Sequence, residues 1–156
     1  MKRNLSIRSL VLTISLLLGL LPVEAAERPF AWDGSGTATF VTDGTGNVSA
    51  NVTASGTATH LGLWTAVGAV HFTPDPNNPG RLLSSAALTF IAANGDKLHV
   101  VFNGDLDPAA GMDMGAIQFA GGTGRFAGAS GSGQFVVEIN PSTGAFKTTA
   151  VAKINF

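Results

Sequence analysis

Cysteine is absent from this 156-residue chain. No disulfide can brace the fold, no thiol can serve as nucleophile or metal ligand, and no lipid can be attached through sulfur. Charge is scarce as well. Asp, Glu, Lys and Arg make up 12% of the residues, against a usual share of about 25%. Nine basic residues face ten acidic ones, with no basic cluster of the kind that nucleic acid or an anionic membrane surface rewards. Helical periodicity is nearly missing after residue 25, and no apolar run reaches the ~20 residues of a membrane-spanning helix.

What is present begins with a leader. Lys2, Arg3 and Arg8 precede an apolar run over 10–21, and Pro22-Val23-Glu24-Ala25 follows. A basic head, a short greasy segment and small residues before a cut after Ala25 make a secretory signal. The expectation is a signal peptide over 1–25 and a single domain over 26–156. That domain would be secreted to the periplasm or the exterior, without membrane association once the leader is removed. Cleavage takes away three cations and one anion, leaving six Lys and Arg against nine Asp and Glu. A chain of this size can bury roughly two-thirds of its unfolded surface, so a core held by packing alone is feasible.

Along the domain, apolar residues recur with period two and are interrupted by Gly, Asn, Asp and Pro. Strands are expected over 35–42, 47–54, 56–64 and 66–73, the last two being separate or one long strand bent near Thr65. Further strands are expected over 83–93, 97–102, 114–119, 133–139 and 146–156. Residues 74–80 (PDPNNPG) form the clearest loop, since prolines cannot donate to a ladder and asparagines favour turns. Asn94-Gly95 is a strong hairpin signal, because both central residues of a type I′ turn need positive φ. The connections are too short for parallel crossovers, so the sheet must be antiparallel. Eight or nine such strands either stack as a sandwich or close into a barrel. The many glycines and alanines at strand positions ease tight curvature and favour an all-β, eight-stranded antiparallel barrel.

The most distinctive stretch is Gly121-Gly-Thr-Gly-Arg-Phe-Ala-Gly-Ala-Ser-Gly131. Part of it matches a G-x-G-x-x-A dinucleotide fingerprint, but that motif needs a helix next. Gly128, Gly131 and Gly133 deny one, at about 1 kcal/mol each relative to alanine. A glycine-rich bulged loop between antiparallel strands is the better reading. The segment GGTGRFAGASGSG resembles the signature of the dirigent proteins and their relatives with the allene oxide cyclase barrel. Ala58-Thr-His-Leu-Gly62 and Ala92-Ala-Asn-Gly-Asp96 are similar to segments of uncharacterised secreted bacterial proteins with that barrel. The resemblance covers roughly residues 56–135. It implies an eight-stranded antiparallel barrel, often a homo-oligomer (a trimer in plant members), whose cavity accepts small apolar molecules. It implies activity much less, since one fold hosts many functions.

Candidate site residues are few. His60, Trp64, Asp96, His99 and Arg125 are the candidates for ligand binding. His60 and Trp64 share a strand phase, with His71 on the neighbouring run. No two histidines have metal-ligand spacing, so no metal and no cofactor is expected. Asp105, Asp107 and Asp113 are the densest acidic group but lack the order of a calcium loop. Asp96 gains interest if its side chain enters the barrel, where a carboxylate needs a partner such as His60, His99 or Arg125. Arg125 reads best as a clamp on backbone carbonyls. No nucleophile elbow is present.

Three functions follow in order. The first is a secreted barrel binding a small apolar ligand, since eight strands enclose room for side chains or one small molecule. Trp64, Phe90, Phe102 and Phe119 are its candidate lining. The second is a structural or surface-interaction protein with no pocket. The third is a cyclase- or isomerase-like enzyme acting by confinement, which requires a buried ionisable residue in the cavity.

Overall fold

The computed structural model describes residues 26–43 and 47–156. The leader expected over 1–25 lies outside the described residues, as does the tip of the first turn at 44–46. Eight strands follow one another: β1 (Arg28–Thr42), β2 (Val48–Ala58), β3 (Gly62–Pro74), β4 (Leu82–Ala92), β5 (Lys97–Asp107), β6 (Met112–Gly122), β7 (Ser130–Ile139) and β8 (Ala145–Asn155). Each pairs antiparallel with the next, and β8 returns to pair with β1, closing the barrel. Closure leaves no free edge to recruit another strand. Gly and Ala at inward positions permit the tight curvature. At Gly34, for example, a Cβ would lie 2.5 Å from the Trp64 ring, so the indole lies against bare backbone.

Several boundaries differ from the expected ones: β5, β6 and β7 run beyond 97–102, 114–119 and 133–139, and two further differences bear on the interior. β1 begins at Arg28, because Phe30 and Trp32 extend the inward phase of the later residues and are both buried. The bend expected near Thr65 does not exist: Thr65 sits within β3, paired with Ser55 and Ile91. The chain instead reverses at 59–61, so Val48–Ala58 makes one strand. His60 adopts φ +67° there and Gly62 φ +70°. A left-handed histidine is uncommon, although His enters this region more readily than most non-glycine residues.

The connections after β1, β3, β5 and β7 gather at one end of the barrel, here called the mouth. Those after β2, β4 and β6 gather at the other, the base. The base half of the interior is filled. Phe30, Trp32, Phe90, Leu98, Ile117, Phe119, Phe126 and Ile154 are buried in one cluster. Edge-on aromatic pairs knit it, such as Phe30 with Phe119 at 5.0 Å and Trp32 with Phe90 at 5.1 Å between ring centres. Trp32 Nε1 donates to Thr148 Oγ1 at 3.1 Å, so its one polar atom is satisfied inside the barrel.

The glycine-rich motif closes this end. Thr123 donates its N–H to Lys97 O, and its hydroxyl accepts from Lys97 N at 3.0 Å. A single 3₁₀ turn, Gly124–Phe126, then drives the fully buried Phe126 into the base, where it packs on Phe156 at 5.1 Å. Three residues of 3₁₀ helix present no helix N-terminus for a pyrophosphate, so the motif serves as a plug between two antiparallel strands.

Candidate functional site

The mouth half of the interior is not filled. A cavity of about 80 Å³ lies there, walled by Ala50, Val52, Ala54, Ala66, Val70 and Ala86 among others. Small side chains recurring at inward positions of β2, β3 and β4 leave this space. Trp64 and Phe90 form its floor, stacked at 4.6 Å and 9° between planes. Phe40, Phe72 and Phe146 stand at the mouth; Phe40 is 41% exposed, so the lining reaches solvent. The lining holds one ionisable side chain, Asp113.

Asp113 enters the barrel because β6 keeps strict alternation: Asp113, Gly115, Ile117 and Phe119 share the inward phase. Across the strands, Ser84, Gly104, Gly115 and Phe135 lie in one row. Gly104 leaves a gap in that row, and the Asp113 carboxyl fills it. A Cβ on Gly104 would come within 2.6 Å of Asp113 Oδ1 and 2.7 Å of Phe135 Cζ. Ser84 Oγ donates to Asp113 Oδ1 at 2.9 Å. Asp113 is 5% exposed, and burial pushes its carboxyl above the usual carboxylate range. The Ser84 hydrogen bond works against that rise, the Asp105 charge adds to it, and the Arg81 charge opposes it.

Arg81 anchors the rim beside this carboxyl. Its Nε reaches Asp105 Oδ1 at 2.7 Å and its Nη1 reaches Asp107 Oδ2 at 3.1 Å. These two acids therefore face a guanidinium while the third member of the acidic group, Asp113, turns inward. Among the described residues no set of three or more His, Asp or Glu side chains is arranged to hold a metal ion.

The five residues singled out from the sequence do not converge. Trp64 lines the cavity. His60 sits in the base turn rather than in strand phase with Trp64; its Nε2 lies 3.1 Å from Pro29 O and its ring meets Phe156. Asp96 and Arg125 do meet, at 3.5 Å, also at the base. There Arg125 clamps the Asp96 carboxylate and covers the Phe126 ring at 5.1 Å. His99 lies in the outward phase of β5, with Nδ1 2.9 Å from Thr89 Oγ1. Of the aromatics expected to line a pocket, Trp64, Phe90 and Phe102 do so, and Phe119 packs in the base. Asp113 carried a signal that was available: it extends the phase of Ile117 and Phe119 by two steps. A strand begun at Met114 stops one residue short of it.

No family model matches the chain, and no curated protein matches it. Solved structures do. The pterocarpan synthase dirigent protein GePTS1 superposes with a TM-score of 0.60 at 13% identity, covering 85% of this chain and 93% of that one. The pterocarpan synthase dirigent protein PsPTS1 gives 0.59 at 14% identity, covering 83% and 95%. A conserved protein of unknown function from Rhodopseudomonas palustris gives 0.54 at 11% identity, covering 83% and 97%. At such identities the likeness is one of fold. The closed eight-stranded antiparallel meander of this chain is thus the fold that these dirigent proteins also have.

Proposed function

We propose that this protein is an exported binding module that takes a small apolar molecule, or the apolar end of a larger one, into the mouth of its barrel. The supporting observation is the cavity itself: about 80 Å³ of unfilled space between apolar walls, continuous with a partly exposed phenylalanine. An engineered apolar cavity of ~150 Å³ takes up benzene. The space here suits part of such a molecule, with Phe40 and its neighbours covering the remainder. Pockets of this kind, mostly apolar with one placed polar group, are the usual form of small-molecule sites. A surface-interaction protein has no need of interior room, so the cavity favours ligand binding over that reading.

The test is displacement of an environment-sensitive apolar dye, with native mass spectrometry of the purified domain. Ala86→Leu, which fills the cavity from β4, is expected to abolish dye binding while leaving the far-ultraviolet spectrum unchanged. Equal dye binding by the filled variant would remove the cavity as the site.

A second reading, an isomerase- or cyclase-like enzyme working by confinement, gains support from Asp113. A carboxyl buried in an apolar chamber is suited to proton transfer. Recovery of offered compounds unchanged after binding would count against it.

A further inference from the structure

We infer that Asp113 reads the polar end of the ligand: the molecule held in the cavity has an apolar body and one hydrogen-bond-accepting oxygen, such as a ketone, aldehyde or ester carbonyl. This rests on the ligand-binding reading and adds the class of molecule that the site selects.

The geometry assigns the two carboxyl oxygens different tasks. Oδ1 accepts from Ser84 Oγ at 2.9 Å, and Gly104 leaves it the room to do so. Among the described residues Oδ2 has no partner, although the side chain lines the cavity. Oδ2 is not one of the sealed orphan atoms, which among the described residues are Trp64 Nε1 and Asn155 Oδ1, so a ligand group can reach it and supply the missing partner. Two species could do so. An ionised Oδ2 would call for a donor, above all an amine; a protonated Oδ2 would offer its hydrogen to an acceptor. The surroundings favour the second. The walls from β1, β2 and β3 contribute Ala38, Phe40, Val52, Ala54 and Val70, with no charge. β7 places Val137 directly beside Asp113, and β8 contributes Phe146 and Thr148. The charges nearby are Asp105 and Asp107 on β5 and Arg81 before β4, and Arg81 is already bound to both acids. An apolar enclosure with its one neighbouring cation engaged disfavours a carboxylate, in agreement with the raised affinity of Asp113 for its proton. With Oδ1 accepting from Ser84, a proton held by this carboxyl would sit on Oδ2 and face the open space.

The experiment uses cyclohexanone and methylenecyclohexane, which differ in shape very little and in the acceptor oxygen entirely. Dissociation constants are followed by amide shifts of the whole domain, with cyclohexylamine as a third probe. Preference for the ketone over the hydrocarbon is expected to fall about 5- to 10-fold in Asp113→Leu, the worth of one hydrogen bond. Asp113→Asn, which keeps an N–H at that place, should retain the preference and lose its pH dependence. In the unaltered protein ketone affinity should decline as pH rises through the Asp113 titration, while hydrocarbon affinity stays level. If both neutral probes bind and neither variant nor pH alters their ratio, the carbonyl assignment is overturned and the cavity stands as a purely apolar site. If cyclohexylamine binds best and more tightly at higher pH, Asp113 is a counter-ion and the assignment is likewise overturned. If no probe binds, the ligand-binding reading itself falls.

Discussion

The carboxyl of Asp113 is stabilised in its neutral form by the fold, and this has a consequence for stability. Its folded-state pKa lies above the unfolded value because burial disfavours the charge. Below the unfolded value both states carry the proton and no difference arises. As pH rises the unfolded chain releases its proton first, so stability is lost progressively until the folded pKa is passed. The difference in urea midpoint between the protein and Asp113→Asn should therefore shift in favour of the variant as pH is raised from the low end of the carboxylate range. A flat difference would show that Asp113 titrates alike in both states. Gly104 is the companion test. Gly104→Ala places a Cβ against Asp113, Ser84 and Phe135 together, an overpacking that should cost about 1–3 kcal/mol in denaturant unfolding. Neither role could be read from residue type: Asp113 stands among loop-like neighbours in Gly111-Met-Asp-Met-Gly115, and Gly104 resembles any strand glycine.

Among the elements, those with regular alternation were legible and the turns without distinctive residues were not. β8 and the Asn94-Gly95 hairpin follow directly from period two and turn chemistry. The reversal at 59–61 was not legible because it turns on a left-handed histidine, a conformation uncommon for any residue but glycine. The base loop shows what its motif is for: Phe126 is fully buried beneath the glycines. Phe126→Ala should cost about 3–5 kcal/mol, read as a lowered urea midpoint, with the base opened to solvent. At the mouth, Arg81 ties the β3–β4 connection to the end of β5 through Asp105 and Asp107. Arg81→Ala should speed amide exchange over 75–81 while leaving the base strands protected, since local opening follows local contacts.

For the molecule as a whole, the pairing of β1 with β8 brings together segments more than a hundred residues apart and removes both sheet edges. A chain ending after residue 144 would expose the inward faces of β1 and β7 along with two free edges. Loss of the native far-ultraviolet spectrum, with aggregation at micromolar concentration, is the expected result; a soluble, cooperatively unfolding fragment would mean that closure is dispensable. The sequence by itself determined strand content and antiparallel pairing and favoured a barrel over a sandwich, because alternation, short connections and small residues at strand positions are local properties that each segment carries alone. Which side chains share the interior depended on tertiary structure. Closure, register and the split between a packed base and an unfilled mouth sent His60, Asp96 and Arg125 to one end and left Asp113 with Trp64 around the cavity. A two-residue alternation names a face of a strand, and only the ring of eight strands decides what that face meets.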